Sequence, residues 1–255
     1  MSDVLANLPP PKVAAFYGRL ADAVDANKGT LDVSLAALFM RQWLANRDPK
    51  ATFKYDAPAH LKTYPPLRET LQYHRKVFLT EEKARVGAHL TKWAGIVPRL
   101  QGKNYPKWDG RTPLSLEYQS LVEIPIVKTQ LAGSDADKDL LYALHGFQVK
   151  SYVSVGGAAG VKGRVKVLFQ KWECEVSDEY HWDPKEHLTV PNPDYQSKSP
   201  DAVTPSDRSV KVYHSNAIRL EQAGLAAPYF SLSNRFAVNE AQLLSPAEVD
   251  PNRSL

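Results

Sequence analysis

The chain of 255 residues holds one cysteine, Cys174, so neither an internal disulfide framework nor a CxxC metal site can form. Long apolar runs are also missing. No stretch approaches the roughly eighteen apolar residues that a membrane-crossing helix needs. Met1 to Lys12 is acidic and proline-rich where a secretory leader is basic and then apolar. The expectation is a protein made in the cytoplasm without a signal peptide. A Gly-x-Ser-x-Gly nucleophile motif is absent, and no internal repeat occurs. Gly156, Gly157 and Gly160 do not precede a helix, which excludes a phosphate-cradling loop of the glycine-rich type. Charge of one sign is not in excess either: 32 Lys and Arg against 28 Asp and Glu leave +4, a mild bias toward anionic partners.

What is present suits a folded core. The 43% apolar and 24% charged residues are ordinary for a globular chain, and the length allows one or two domains. The first hundred residues read as helical. Val13, Phe16, Tyr17, Leu20 and Val24 recur at helical spacing, and a second helix over Asp32 to Asn46 is apolar nearly all round. Pro65 and Pro66 precede a third from Leu67 to Leu79, and Thr80 caps a fourth running toward Trp93. Turn formers between Arg99 and Pro113 mark a seam, after which the period changes to two.

Leu114, Leu116 and Tyr118 begin strand text, a short helix follows from Asp137 to Leu144, and a strand starts near Phe147. Gly156, Gly157 and Gly160 read as a flexible connection into a long second strand. There Val165, Val167 and Phe169 share one parity and Trp172, Cys174 and Val176 the other, which predicts a bulge near Gln170–Lys171. The segment from Ser177 to Pro184 is too polar to stay inside a sheet. Four prolines between Thr189 and Ser209 give a long loop. Ser209 to Tyr213 returns as a strand, Ser215 or Asn216 caps a short helix ending at Gly224, and Tyr229 to Val238 closes the sheet. The fold class is α+β: a helical N-terminal half packed on a mostly antiparallel, bulged and twisted sheet. The expected divisions are a helical lobe at 1–112, a β-rich lobe at 113–245 and a flexible tail at 246–255.

The densest set of titratable side chains is Asp178, Tyr180, His181, Asp183, Lys185, Glu186 and His187, where a strand empties into a loop. A strand fixes the backbone there while the loop leaves polar heads free for acid–base work or for holding a divalent ion. The other histidines, His60, His74, His89, His145 and His214, lack metal-ligand spacing and read as surface or satisfied interior side chains. Cys174, on a strand with Trp172 and Val176, reads as a small buried hydrophobe.

Phe169 to His187 resembles the active-site strand and loop of the colicin M family, bacteriocins whose catalytic stretch reads Asp-x-Tyr-Asp with His-Arg beginning nine residues after the first aspartate. Asp178, Tyr180 and His187 match in position; His181 stands where the second aspartate belongs, and Leu188 where the arginine belongs. In layout the chain is also similar to a bacterial family encoded near type VI secretion spike genes, which carries a later segment resembling Tyr213 to Arg219. These resemblances imply an antibacterial toxin or effector that hydrolyses the lipid-linked peptidoglycan precursor, between polyprenyl chain and pyrophosphate, in the periplasm of a target cell. The implied enzyme is a metal-dependent phosphoester or pyrophosphate hydrolase using a divalent cation, Mg²⁺. Asp178, Tyr180, His187 and Asp183 are then catalytic, with Asp178 and Asp183 on the metal. His181, Lys185, Arg219 and Asn216 contact substrate, Lys185 or Arg219 standing in for the missing arginine. The implied partners are a secretion-spike or chaperone protein, a cognate immunity protein and the precursor at its membrane surface.

Two other classes compete. A non-catalytic binding or adaptor protein of the same secretion system would use the helical half as its contact and leave the loop chemistry idle. Nucleic-acid binding is suggested by Tyr73-His74-Arg75-Lys76 and by Lys103 to Trp108, where basic and aromatic residues interleave. Neither stretch forms a known motif, and nucleic acid is the less favoured partner.

Overall fold

A computed structural model describes residues 3–79, 114–124, 134–159, 165–183 and 186–249. The fold is α+β, with helices leading and strands following, and strand pairing that is mostly antiparallel. The expected fourth helix, the seam at 99–113, the Lys103 to Trp108 segment and Lys185 lie outside the described residues. Among the described residues, no helix is long and apolar enough to cross a membrane.

The chain divides into two compact units, each gathered from three separate stretches. Unit 1 comprises 1–62, 123–147 and 177–233; unit 2 comprises 63–122, 148–176 and 234–255.

Unit 1 opens with helix α1 (Pro10–Ala26) and helix α2 (Leu35–Ala45). Proline at the first turn of α1 needs no amide there, and Ser34 caps α2 by accepting from the Ala37 amide. Phe16, Tyr17, Leu20, Phe39 and Trp43 are buried, as their helical spacing requires. A short strand β1 (Thr52–Tyr55) follows, which helical periodicity did not foreshadow. It pairs parallel with strand β7 (Tyr229–Ser233), an interaction over 170 residues distant in sequence and so invisible to local pattern. Helix α3 (Ala59–Lys62) is a single turn. Helix α5 (Asp135–Leu144) begins with a reciprocal capping box between Ser134 and Asp137. Asp139 of α5 reaches the start of α2: its carboxylate accepts from Ser34 Oγ at 2.6 Å and from the amides of Leu35 and Ala36, and it meets His60 Nε2 at 3.0 Å.

Strands β5 (His187–Pro191) and β6 (Ser209–Tyr213) form an antiparallel pair, and helix α6 (His214–Gln222) runs straight on from β6. Neither Ser215 nor Asn216 caps α6; the capping position is Tyr213, without a side-chain bond, because the helix begins at His214. Gly224, at a φ of 68°, takes the left-handed conformation just beyond the helix end. The long loop between β5 and β6 is pinned rather than loose. Asn192 Nδ2 donates to the carbonyls of Thr204 and Asp207, and Arg19 grips Asp194 through two hydrogen bonds of 2.7 and 2.9 Å.

In unit 2, helix α4 (Pro65–Leu79) buries Leu67, Leu71, His74 and Phe78 along one face. Strand β2 (Leu114–Glu123), strand β3 (Gly146–Ala159, from Gln148 in this unit) and strand β4 (Val165–Tyr180, as far as Val176) lie in that order. Strand β8 (Phe236–Ala237) and strand β9 (Ala247–Val249) add to β4, and helix α7 (Ala241–Leu244) stands between them. The segment expected as a tail thus supplies three strand residues. Gly156 and Gly157 sit within β3 instead of forming a connection, since glycine accepts an extended backbone. The change of parity expected in β4 is visible in burial: Val167 and Phe169 are buried, Gln170 and Lys171 are both exposed, and Trp172, Cys174 and Val176 are buried again. The Tyr73 to Lys76 stretch is not laid out as a stacking platform. His74 is fully buried, and Arg75 donates to the carbonyls of Leu243 and Ser245.

Candidate functional site

Strand β4 does not stop at Ser177. Its last residues, Ser177 to Tyr180, pair antiparallel with Leu232 to Tyr229, and Ser231 Oγ donates to the Asp178 carbonyl. Ladder hydrogen bonds hold this polar text in the sheet, where composition alone argued for its exit. Because strand residues alternate, Asp178 and Tyr180 continue the inward parity of Val176 while Glu179 is exposed. Asp178 is thereby drawn into the interior of unit 1. Burial is the main cause, helped by Glu179 beside it, that raises its carboxyl from 3.8 to about 8 against an opposing hydrogen bond from the Glu179 backbone.

Tyr180 is packed in an aromatic group. It stacks on Tyr229 at 5.3 Å and meets Phe39 and Trp182 edge-on, and burial pushes its phenol up. Trp182 continues the group, touching Tyr17 and Trp43 and presenting itself to His214 at 4.8 Å between ring centroids, nearly perpendicular.

A cleft of about 290 Å³ opens in this unit. It is lined by the end of α5 and the start of β3 (Ala143, Leu144, His145, Gly146), by the end of β4 and the loop after it (Asp178, Glu179, Tyr180, His181, Asp183, Glu186), and by His214 at the head of α6. Four acidic residues and three histidines border it, and no Lys or Arg does among the described residues.

The histidines arrive by different routes. His145 terminates α5 with a positive φ of 51°, a strained position for a residue with a side chain, and its amide still bonds to Leu141. Its imidazole is pushed down, first by burial and then by His181, with Glu186 pulling the other way. His214 is 1% exposed and is pushed down to about 4 by burial, with His145 and His187 adding and Asp183 opposing. Burial thus favours the uncharged form of both imidazoles. His181 is exposed and its Nδ1 meets the Glu179 carbonyl at 2.8 Å.

Of the residues singled out by sequence, the cleft brings together Asp178, Tyr180, His181, Asp183 and Glu186. His187 is exposed on β5, opposite Tyr213, and does not line the cleft. Asn216 and Arg219 do not line it either; they fasten the beginning of the chain. Asn216 Nδ2 donates to both Asp3 carboxylate oxygens, and Arg219 donates to the carbonyls of Leu5, Ala6 and Leu8. His145 and His214 are the cleft residues that sequence reasoning set aside. Their only signal was proximity in space, since almost seventy residues separate them.

The divalent cation implied by the resemblance finds no preformed cage. Among the described residues no group of three or more His, Cys, Asp or Glu side chains is placed to hold a metal ion, and Asp178 favours its protonated form. What the arrangement can do is transfer protons: a carboxylic acid that keeps its proton at neutral pH stands in the same cleft as imidazoles that burial pushes toward their uncharged forms, and environments that push titratable groups apart in this way assign an acid and a base. No protein-family model, curated protein or solved structure matches the chain.

Proposed function

We propose that the protein is an antibacterial effector acting as a hydrolase from the cleft of unit 1, with Asp178 as its general acid. The observation that carries this reading is the placement of Asp178: a strand-end carboxyl held in its protonated form to about pH 8, at the wall of a cleft that also holds imidazoles pushed toward their uncharged forms. A proton donor poised near neutral pH is worth roughly 10²–10⁴-fold in a hydrolytic step. In this reading Asp178 protonates the leaving oxygen and a second cleft residue takes the proton of water. Asp183 and His181 border the same space and orient substrate. The resemblance makes the bond a polyprenyl pyrophosphate ester; the acid–base step is the same for other bonds whose leaving group is an oxygen. The protein is then made in the cytoplasm, delivered with a secretion-spike or chaperone partner, neutralised by an immunity protein, and active in the target periplasm.

A second reading, a non-catalytic binding module, is favoured by one observation: His187, Asn216 and Arg219, all assigned to chemistry by resemblance, stand outside the cleft. Expression in the periplasm of a susceptible bacterium separates the two. Wild type kills, Asp178→Ala does not, and neither kills from the cytoplasm. Equal killing by wild type and Asp178→Ala removes the enzyme.

A further inference from the structure

The cleft of unit 1 holds more hydrogen-bonding capacity than the fold uses. One ring nitrogen of His214 reaches the Asp183 backbone and the other has no hydrogen-bond partner, and Nε2 of His145 is likewise buried without one. Trp182, packed against His214, leaves its Nε1 unpartnered too. Buried polar atoms are nearly always satisfied, and each one left over forfeits about 1–3 kcal/mol. Three of them on three touching or neighbouring rings, two of those rings bordering a cleft, point to a ligand that completes them.

The chemistry of that ligand is set by its surroundings. An anion would meet the carboxyl groups of Glu179, Asp183 and Glu186, and burial pushes the two imidazoles toward their uncharged forms, which do not attract it. A neutral imidazole offers one N–H donor and one acceptor nitrogen, so a pair of them is matched by groups that both donate and accept. Hydroxyls do this. Pockets for small ligands begin at roughly 300 Å³, and a cleft of about 290 Å³ suits one or two sugar rings.

We propose that the cleft binds an uncharged, hydroxyl-rich substrate, a saccharide chain, through His145 and His214, and that the bond hydrolysed is glycosidic. This rests on the reading of Asp178 as general acid and puts a glycosidic bond in place of the pyrophosphate ester that the resemblance implies. The bond between the anomeric carbon and the bridging oxygen breaks, Asp178 gives its proton to that oxygen, and water adds to the anomeric carbon. Glu186, which borders the same cleft, takes the proton released by water, and exchange with solvent restores both groups. The products are two shorter saccharides, one with a new reducing end.

The test uses the full chain with isolated peptidoglycan sacculi, a soluble β-1,4-linked N-acetylglucosamine tetramer, and inorganic pyrophosphate as the anionic probe. Wild type releases reducing ends from sacculi, and Asp178→Asn lowers the rate by roughly 10²–10⁴-fold. Saturation-transfer NMR detects the tetramer on the wild-type protein and not pyrophosphate, and His214→Phe weakens the tetramer about tenfold or more, the loss expected for one or two hydrogen bonds. Should His214→Phe fail to fold, the comparison of the two probes on wild type decides alone. Pyrophosphate binding without tetramer binding overturns the proposal. Sacculi that yield no reducing ends, while Asp178→Ala still abolishes periplasmic killing, overturn the saccharide and leave the acid in place; equal killing by Asp178→Ala removes both.

Discussion

Asparagine in place of Asp178 is expected to make the protein more stable and less active at once, and the sign of the first effect depends on pH. In the unfolded chain the carboxyl has its ordinary value of 3.8; in the folded protein burial lifts it to about 8. At pH below 3.8 both states hold the proton and the site contributes no penalty. As pH rises from there, the unfolded chain releases its proton while the folded one keeps it, so stability falls, and the fall is complete above about 8. At about 1.4 kcal/mol per pH unit the ceiling is about 6 kcal/mol, and the partial solvent contact of Asp178 screens this to roughly 2–4 kcal/mol. Asparagine keeps the shape and cannot ionise. Urea unfolding of wild type and Asp178→Asn should therefore give equal stabilities near pH 4 and an advantage to Asp178→Asn of roughly 2–4 kcal/mol near pH 9. Parallel pH profiles, or a less stable Asp178→Asn at high pH, would refute the buried carboxyl and with it the general acid. A residue whose removal stabilises the fold while abolishing killing is retained for chemistry and not for packing.

Asp139→Ala removes the acceptor for Ser34 Oγ and the first amides of α2 and leaves His60 without its partner, so unfolding in urea should show a loss of about 3–5 kcal/mol; a loss under about 1 kcal/mol would mean the helix start is held by something else. Arg219→Ala takes away the donors to the carbonyls of Leu5, Ala6 and Leu8, and hydrogen exchange should show the Leu8 amide, bonded to the Leu5 carbonyl, opening at least about tenfold more often; unchanged protection would assign the anchoring to Asn216 alone.

Sequence pattern located the elements whose apolar residues recur regularly and missed those defined by a distant partner. The spacing of Phe16, Tyr17 and Leu20 is a local fact, and α1 follows it. The alternation in β4 was equally legible up to Val176. Beyond it, Ser177 to Tyr180 stay in the sheet because β7 supplies hydrogen bonds, and no property of those four residues announces β7. The site divides along the same line. Asp178, Tyr180, His181 and Asp183 are neighbours in sequence and share a cleft, whereas His145 and His214 join them only because a helix ends and another begins at the same wall. Asn216 and Arg219 carry a suggestive motif, yet their hydrogen bonds are committed to the chain's own beginning.

The interleaving of the two units in sequence bears on how the polypeptide is born. Unit 1 needs residues 1–62, 123–147 and 177–233, and unit 2 needs 63–122, 148–176 and 234–255. Unit 1 cannot close before residues 177–233 have been made, nor unit 2 before residues 234–255, so the two units cannot mature one after the other in chain order. Until then, the aromatic side chains destined for both interiors remain uncovered, a window in which a holding chaperone would find the nascent chain unfolded.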